Sequence, residues 1–137
     1  MSLIDKIKEH EGFKSSVYDD SLGIPTIGFG FAIKDLELDL DIAEEILKRK
    51  LKNLVKRVHN RFHWVSDAPK PIQEVMYNMA YQIGVSGLSR FKLTIQYLID
   101  KDYENASREM LDSKWARSDS PNRAIELSNI VKAQSDE

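Results

Sequence analysis

The chain of 137 residues has no cysteine, which excludes disulfides, thiol nucleophiles and thiolate metal sites and suits a reducing compartment. It also lacks any apolar run of the length of a signal peptide or a membrane span, so synthesis without a signal peptide and no membrane insertion are expected. Three histidines are too few for much metal chemistry. His59 and His63 stand four apart but have no third ligand or HExxH frame, and His10 reads as solvated, so no metal and no cofactor are expected. There is no phosphate loop, nucleophile elbow or dinucleotide fingerprint, and no repeat or low-complexity run. Net charge is only −2, which gives the whole molecule no strong attraction to a polyanion.

What the chain does have is enough apolar content, 42 %, for one compact unit, and a concentration of chemistry near its start. Ser2 and Asp5 resemble a capping box, and Leu3, Ile4 and Ile7 form an apolar stripe that ends at Gly12, so a helix over 1–12 is predicted with Glu11 at its C-terminus. The negative end of the helix dipole and partial burial in a cleft would both raise the pKa of such a glutamate toward that of a usable general acid. Asp20 lies in a polar Asp-Asp-Ser turn near Gly23 and Pro25, where backbone N–H groups favour a carboxylate. Its neighbour Asp19 is a second candidate, but the spacing to Gly23 and Thr26 selects Asp20. A strand over Thr26–Phe31 would put Thr26, Gly28 and Gly30 on one nearly bare face, where a ligand can approach the backbone. Two carboxylates in unlike settings and a hydroxyl that can hold water are the parts needed to cleave a glycosidic bond.

Downstream the pattern is helical. Ile42, Ile46, Leu47, Leu51, Leu54, Val55 and Val58 recur at helical spacing over 41–60, with Lys48, Arg49, Lys50, Lys52, Lys56 and Arg57 on the opposite face and Glu44 and Glu45 offsetting part of the charge. Such a helix could link two lobes, or bind nucleic acid or another anionic surface. A helix opened by Pro71 repeats Ile72, Val75, Met76, Met79, Ala80 and Ile83 and closes at Gly84, which makes the two methionines packing residues. Further helices are predicted over Phe91–Ile99 and Tyr103–Leu111, and a last one from Ser120 as cap and Pro121 as first residue. The fold class is α+β, with a small antiparallel β-hairpin lobe over 13–40, a linking helix and a mainly helical lobe over 61–137, together one domain.

Three ordered blocks carry a family resemblance. The first is Glu11-Gly12 followed by Tyr18, Asp20, Gly23, Thr26, Ile27, Gly28 and Gly30; the second is Asn78-Met79-Ala80-Tyr81-Gln82-Ile83-Gly84; the third is Ser113-Lys114-Trp115 with Ser120-Pro121-Asn122-Arg123-Ala124. The chain resembles the phage-type lysozymes, the endolysin muramidases. The resemblance implies a lysozyme-like fold and catalysis by Glu11, Asp20 and Thr26, with Tyr18, Gly28, Gly30, Gln82, Trp115, Asn122 and Arg123 binding substrate or supporting the site. Arg123 would reach Glu11, and Gln82 and Trp115 would pair across the cleft floor, with core packing of Trp115 as the alternative to sugar stacking. The substrate implied is peptidoglycan glycan strands, cut by a monomer made in the host cytoplasm and released by a holin, without nucleic acid as partner. The basic helix face would help it approach anionic wall polymers.

The chain departs from that pattern at Phe31, where a histidine is common. It is also short between Phe31 and the next helix, nearly neutral where relatives are basic, and it stops soon after Ile130 and Val131. A catalytically weakened wall-binding module and a lytic transglycosylase are therefore alternatives to the muramidase, with a nucleic-acid-binding helix behind both.

Overall fold

The computed structural model describes residues 2–136, which divide into two compact units with the boundary between residues 44 and 45. The boundary falls within the first turns of the long helix over Leu40–Arg61.

The first unit opens with α1 (Leu3–Glu11). Ser2 caps it as the sequence implies: the Asp5 backbone N–H donates to Ser2 Oγ (3.2 Å), and the Ser2 hydroxyl and backbone N–H donate back to Asp5 Oδ2 (2.8 and 3.3 Å). Gly12 ends the helix at φ +68°, in a region other residues avoid, with its N–H on the Lys8 carbonyl (2.9 Å). Three antiparallel strands follow in the order β1 (Lys14–Asp19), β2 (Pro25–Gly28) and β3 (Phe31–Ala32), with a register irregularity in β1 between Lys14 and Tyr18. The single strand expected over Thr26–Phe31 is thus two. Gly28 (φ +70°) and Gly30 (φ +77°) turn the chain around Phe29, and Ile27 pairs with Phe31. The lobe is a three-stranded meander rather than one hairpin, because both glycines sit in conformations that a continuous strand cannot hold.

The second unit is helical. It comprises most of α2 (Leu40–Arg61), then α3 (Lys70–Ser89), α4 (Lys92–Ile99), α5 (Tyr103–Leu111) and α6 (Pro121–Ala133), with a wide π-helical turn at Trp115–Asp119. Its core joins Leu54 and Val58 of α2 to Ile72, Val75, Met76 and Met79 of α3, and to Leu98, Met110, Trp115, Leu127 and Val131. Met76 and Met79 are each 1 % exposed, so they pack as the helical spacing implies. Pro71 occupies the second position of α3, not the first, and Gly84 breaks that helix at φ +80° before its last residues resume. Ser120 precedes α6 but makes no side-chain cap, since its hydroxyl is engaged elsewhere.

Candidate active site

The residues of the first unit converge through its backbone. Asp20 starts the β1–β2 turn, where the N–H groups of Leu22 and Ile24 both donate to Asp20 Oδ1 (2.8 and 2.9 Å). Two main-chain bonds, closed by Asp20 N–H on the Ile24 carbonyl (3.0 Å) and Gly23 N–H on the Asp20 carbonyl (2.9 Å), fix the orientation of the carboxylate. Oδ2 accepts no hydrogen bond from any of the described residues, so one oxygen is anchored and the other is available to a water or a developing positive charge. Asp20 is half-buried, and Asp19, at the end of β1, is exposed.

Thr26 is the one buried residue among those described in this unit, 4 % exposed, in the central strand opposite Tyr18 on one side and Ala32 on the other. Its hydroxyl donates to the Ile24 carbonyl (2.8 Å), which leaves oxygen lone pairs to accept. Ile24 therefore ties the two groups together, its N–H to Asp20 and its carbonyl to Thr26. Sequence reasoning missed this residue because it acts through its main chain; the Asp20-to-Leu22 turn is the signal that could have found it.

Glu11, the last residue of α1, has an exposed side chain, so the partial burial expected of it is not found. A Cβ placed on Gly30 would overlap the Glu11 carboxylate, with Glu11 Cδ only 3.0 Å away. The bare α-carbon of Gly30 is what makes room for the acid. Likewise a Cβ on Gly28 would come within 2.7 Å of the Phe31 ring. At these two glycines the close neighbours are this chain's own side chains, where the sequence suggested a ligand. Phe31 pairs with Ile27 and so lies on the face away from Thr26, as its place in the pattern implied.

In the second unit Trp115 is 3 % exposed, its ring edge-on to Phe91 at 5.9 Å, and its indole N–H donates to Gln82 Oε1 (2.9 Å). The Gln82 amide N–H donates in turn to the Ser120 hydroxyl. Trp115 is accordingly a packing residue with a satisfied polar end, and its ring is not open to stack on a sugar. Asn122 and Arg123 are both exposed in the first turn of α6. Arg123 lines a cavity of about 420 Å³ with Leu47, Leu51, Val55, Glu74, Tyr77, Asn78 and Tyr81. Beside it the Tyr77 hydroxyl bonds His59 Nε2 at 2.5 Å, and burial raises the Tyr77 pKa above its ordinary value.

The first unit thus holds a helix-borne glutamate set over a glycine, an anchored aspartate and a buried threonine hydroxyl, within a chain whose small antiparallel sheet and helical remainder fit a lysozyme-like α+β fold. The phage lysozyme family model matches residues 8–134, and the chain belongs to that family of peptidoglycan hydrolases. It is 25 % identical over 160 residues to the probable T4-type lysozyme 1 of Dictyostelium discoideum, an alignment covering 96 % of this chain and 94 % of that one. The probable T4-type lysozyme 2 of the same organism is 26 % identical over 161 residues, again covering 96 % and 94 %. The pre-baseplate central spike protein Gp5 of Enterobacteria phage T4 is 25 % identical over 143 residues, covering 84 % of this chain but only a quarter, 25 %, of the spike protein.

Proposed function

We propose that this chain is a muramidase that hydrolyses the β-1,4 bond between N-acetylmuramic acid and N-acetylglucosamine, with inversion at the anomeric carbon. The observation that carries the reading is that the Asp20 carboxylate and the Thr26 hydroxyl are both tied to the main chain of Ile24. Glu11 protonates the leaving oxygen. Asp20 stabilises the positive charge that develops on the sugar and, with Thr26, orients the attacking water. Arg123, exposed at the start of α6, and the Gln82–Trp115 pair are the supporting residues that the helical unit supplies in this reading. Tyr18, paired with Thr26 in the sheet, borders the sugar. The biological role that fits is an endolysin: a monomeric single catalytic domain over 1–137, made in the bacterial cytoplasm and passed to the wall by a holin.

The test is clearing of purified peptidoglycan by wild type, Glu11→Gln and Asp20→Asn, with mass spectrometry of the fragments. Clearing by wild type alone, with reducing muramic ends, is the expected outcome. Anhydro ends would make the chain a lytic transglycosylase, and the absence of any clearing would make it a wall-binding module.

A further inference from the structure

Among the described residues the side chains of α1 make no hydrogen bond or ion pair beyond the Ser2–Asp5 cap, and none of them is buried. The Glu11 carboxylate therefore has no polar partner among them. A general acid must nevertheless be aimed as well as protonated. What Glu11 does meet is the bare α-carbon of Gly30, where a Cβ would overlap it.

Lys8 stands three residues before Glu11, on the same face of α1, and its Nζ lies 5.7 Å from the centroid of the Phe29 ring. That is within the ~6 Å over which a ring face attracts a cation. Phe29 directly precedes Gly30. Two side chains from the end of α1 thus reach consecutive residues of the turn between β2 and β3, a cation on an aromatic face and a carboxylate on a bare α-carbon. The ring is itself held. Phe29 is half-buried, with the Phe13 ring 5.4 Å away and tilted by 46°, and the Phe31 ring farther off, edge-on at 6.4 Å. Phe13 follows the stop at Gly12, so the chain leaving α1 packs on the same ring as the lysine within it. A single contact would let the end of the helix pivot. Contacts from residues 8, 11 and 13 on two adjoining residues of the turn fix it, and with it the direction of the Glu11 side chain.

We infer that Lys8 and Phe29 are positioning residues for the Glu11 carboxyl: ammonium and ring clamp the end of α1 on the β2–β3 turn, so that the acid keeps one direction. The inference rests on Glu11 as the general acid and adds the groups that hold it there. Neither Lys8 nor Phe29 contacts the reacting atoms in this role; both act through Glu11.

Two measurements test it. In the first, kcat and KM on soluble peptidoglycan fragments are compared for wild type, Lys8→Met, Phe29→Leu and the double variant. Each single change is expected to lower kcat roughly three- to thirty-fold with KM unchanged, less than the ~100-fold that a misplacement of about 1 Å can cost. Because the two residues form one clamp, the double variant should lose little more than the worse single one. Lys8→Arg, which keeps a cation over the ring, should recover most of kcat, a rescue that loss of fold stability alone would not show. A loss confined to KM, additive losses in the double variant, or an arginine no better than methionine would overturn the assignment. The second measurement needs no hydrolysis. The backbone amide of Gly30 is followed by NMR through the titration of Glu11, with Glu11→Gln to identify that component. Its amplitude is expected to fall roughly twofold or more in Lys8→Met and in Phe29→Leu, as the carboxylate moves off the amide. An unchanged amplitude in both variants would overturn the clamp whether or not the strand is cut. The expected fall in a protein that clears no peptidoglycan would keep the clamp and sink the hydrolase reading alone.

Discussion

The indole N–H of Trp115 donates to Oε1 of Gln82 at 2.9 Å, and the same glutamine passes its own N–H to the hydroxyl of Ser120. One side chain thus joins α3, the π-helical turn and the start of α6. Gln82→Leu removes both bonds and strands the N–H of a tryptophan that is 3 % exposed. A loss of about 1–3 kcal/mol in unfolding free energy is expected from denaturant titration. Gln82→Glu, which keeps the acceptor for Trp115, should lose clearly less. Equal losses would show that the indole bond contributes little.

Gly30 and Glu11 give the sharpest test of the catalytic unit. Gly30→Ala forces a side chain into φ +77° and against the Glu11 carboxylate, so the acid must move. Gly28→Ala carries a similar backbone strain at φ +70°, but its clash is with the Phe31 ring. Both variants should lose stability of order 1–2 kcal/mol from the left-handed backbone. In peptidoglycan clearing assays only Gly30→Ala should also lose most of its kcat; comparable kcat in the two would separate Gly30 from the acid.

These two cases mark where the sequence is readable. The Ser2–Asp5 box, the stop at Gly12 and the Tyr103–Leu111 helix were legible because each is decided within a turn or two of chain. The contact of Gly30 with Glu11 joins residues nineteen apart, and the Ser120 hydroxyl accepts from the amide of a residue 38 positions away, so local patterns named those residues but misread their use. The continuous strand over Thr26–Phe31 failed for a different reason. Alternation describes a strand only while φ stays negative, and composition does not reveal which glycines turn. Ile24 is legible only through the turn that starts at Asp20, because its main chain and not its side chain is what matters. That Asp20 lies in a turn and Thr26 in a strand was legible from the local residues, though not the main-chain bonds that join them.

Phe31, the departure from the family pattern, lies on the sheet face opposite Thr26 and is 46 % exposed. Phe31→His should therefore leave kcat within about threefold of wild type, since no group of the proposed mechanism shares its face. Clearing assays at neutral pH check this. A gain of tenfold or more would mean that phenylalanine weakens the natural enzyme.

Burial of Tyr77 gives the helical unit an expected pH dependence on the alkaline side. Burial raises its folded pKa above the ordinary 10.0, so the folded state keeps a proton that the unfolded chain gives up first. The unfolded state then binds fewer protons than the folded one from about pH 10 upward, and stability falls as pH rises through that window. Chemical denaturation between pH 9 and 11.5 should show this decline, and Tyr77→Phe should flatten it while giving up the bond to His59 at every pH. A decline of unchanged slope in the variant would move the effect to Tyr103, whose pKa burial raises in the same direction.

Lys101 offers a gain instead of a loss. It follows α4 at φ +59°, the only non-glycine with positive φ among the described residues, and the chain around it closes a Schellman motif. Lys101 N–H reaches the Leu98 carbonyl (3.2 Å) and Asp102 N–H the Tyr97 carbonyl (2.8 Å). The backbone bonds need that conformation, and the lysine Cβ opposes it. Lys101→Gly removes the opposition at the cost of a more flexible unfolded chain, and a net stabilisation of about 0.5–1 kcal/mol is expected. Thermal and urea unfolding of the pair decide it. Because Lys101 touches no proposed catalytic group, clearing activity at ordinary temperature should be the same in both proteins, and the variant should retain it after heating that inactivates the parent.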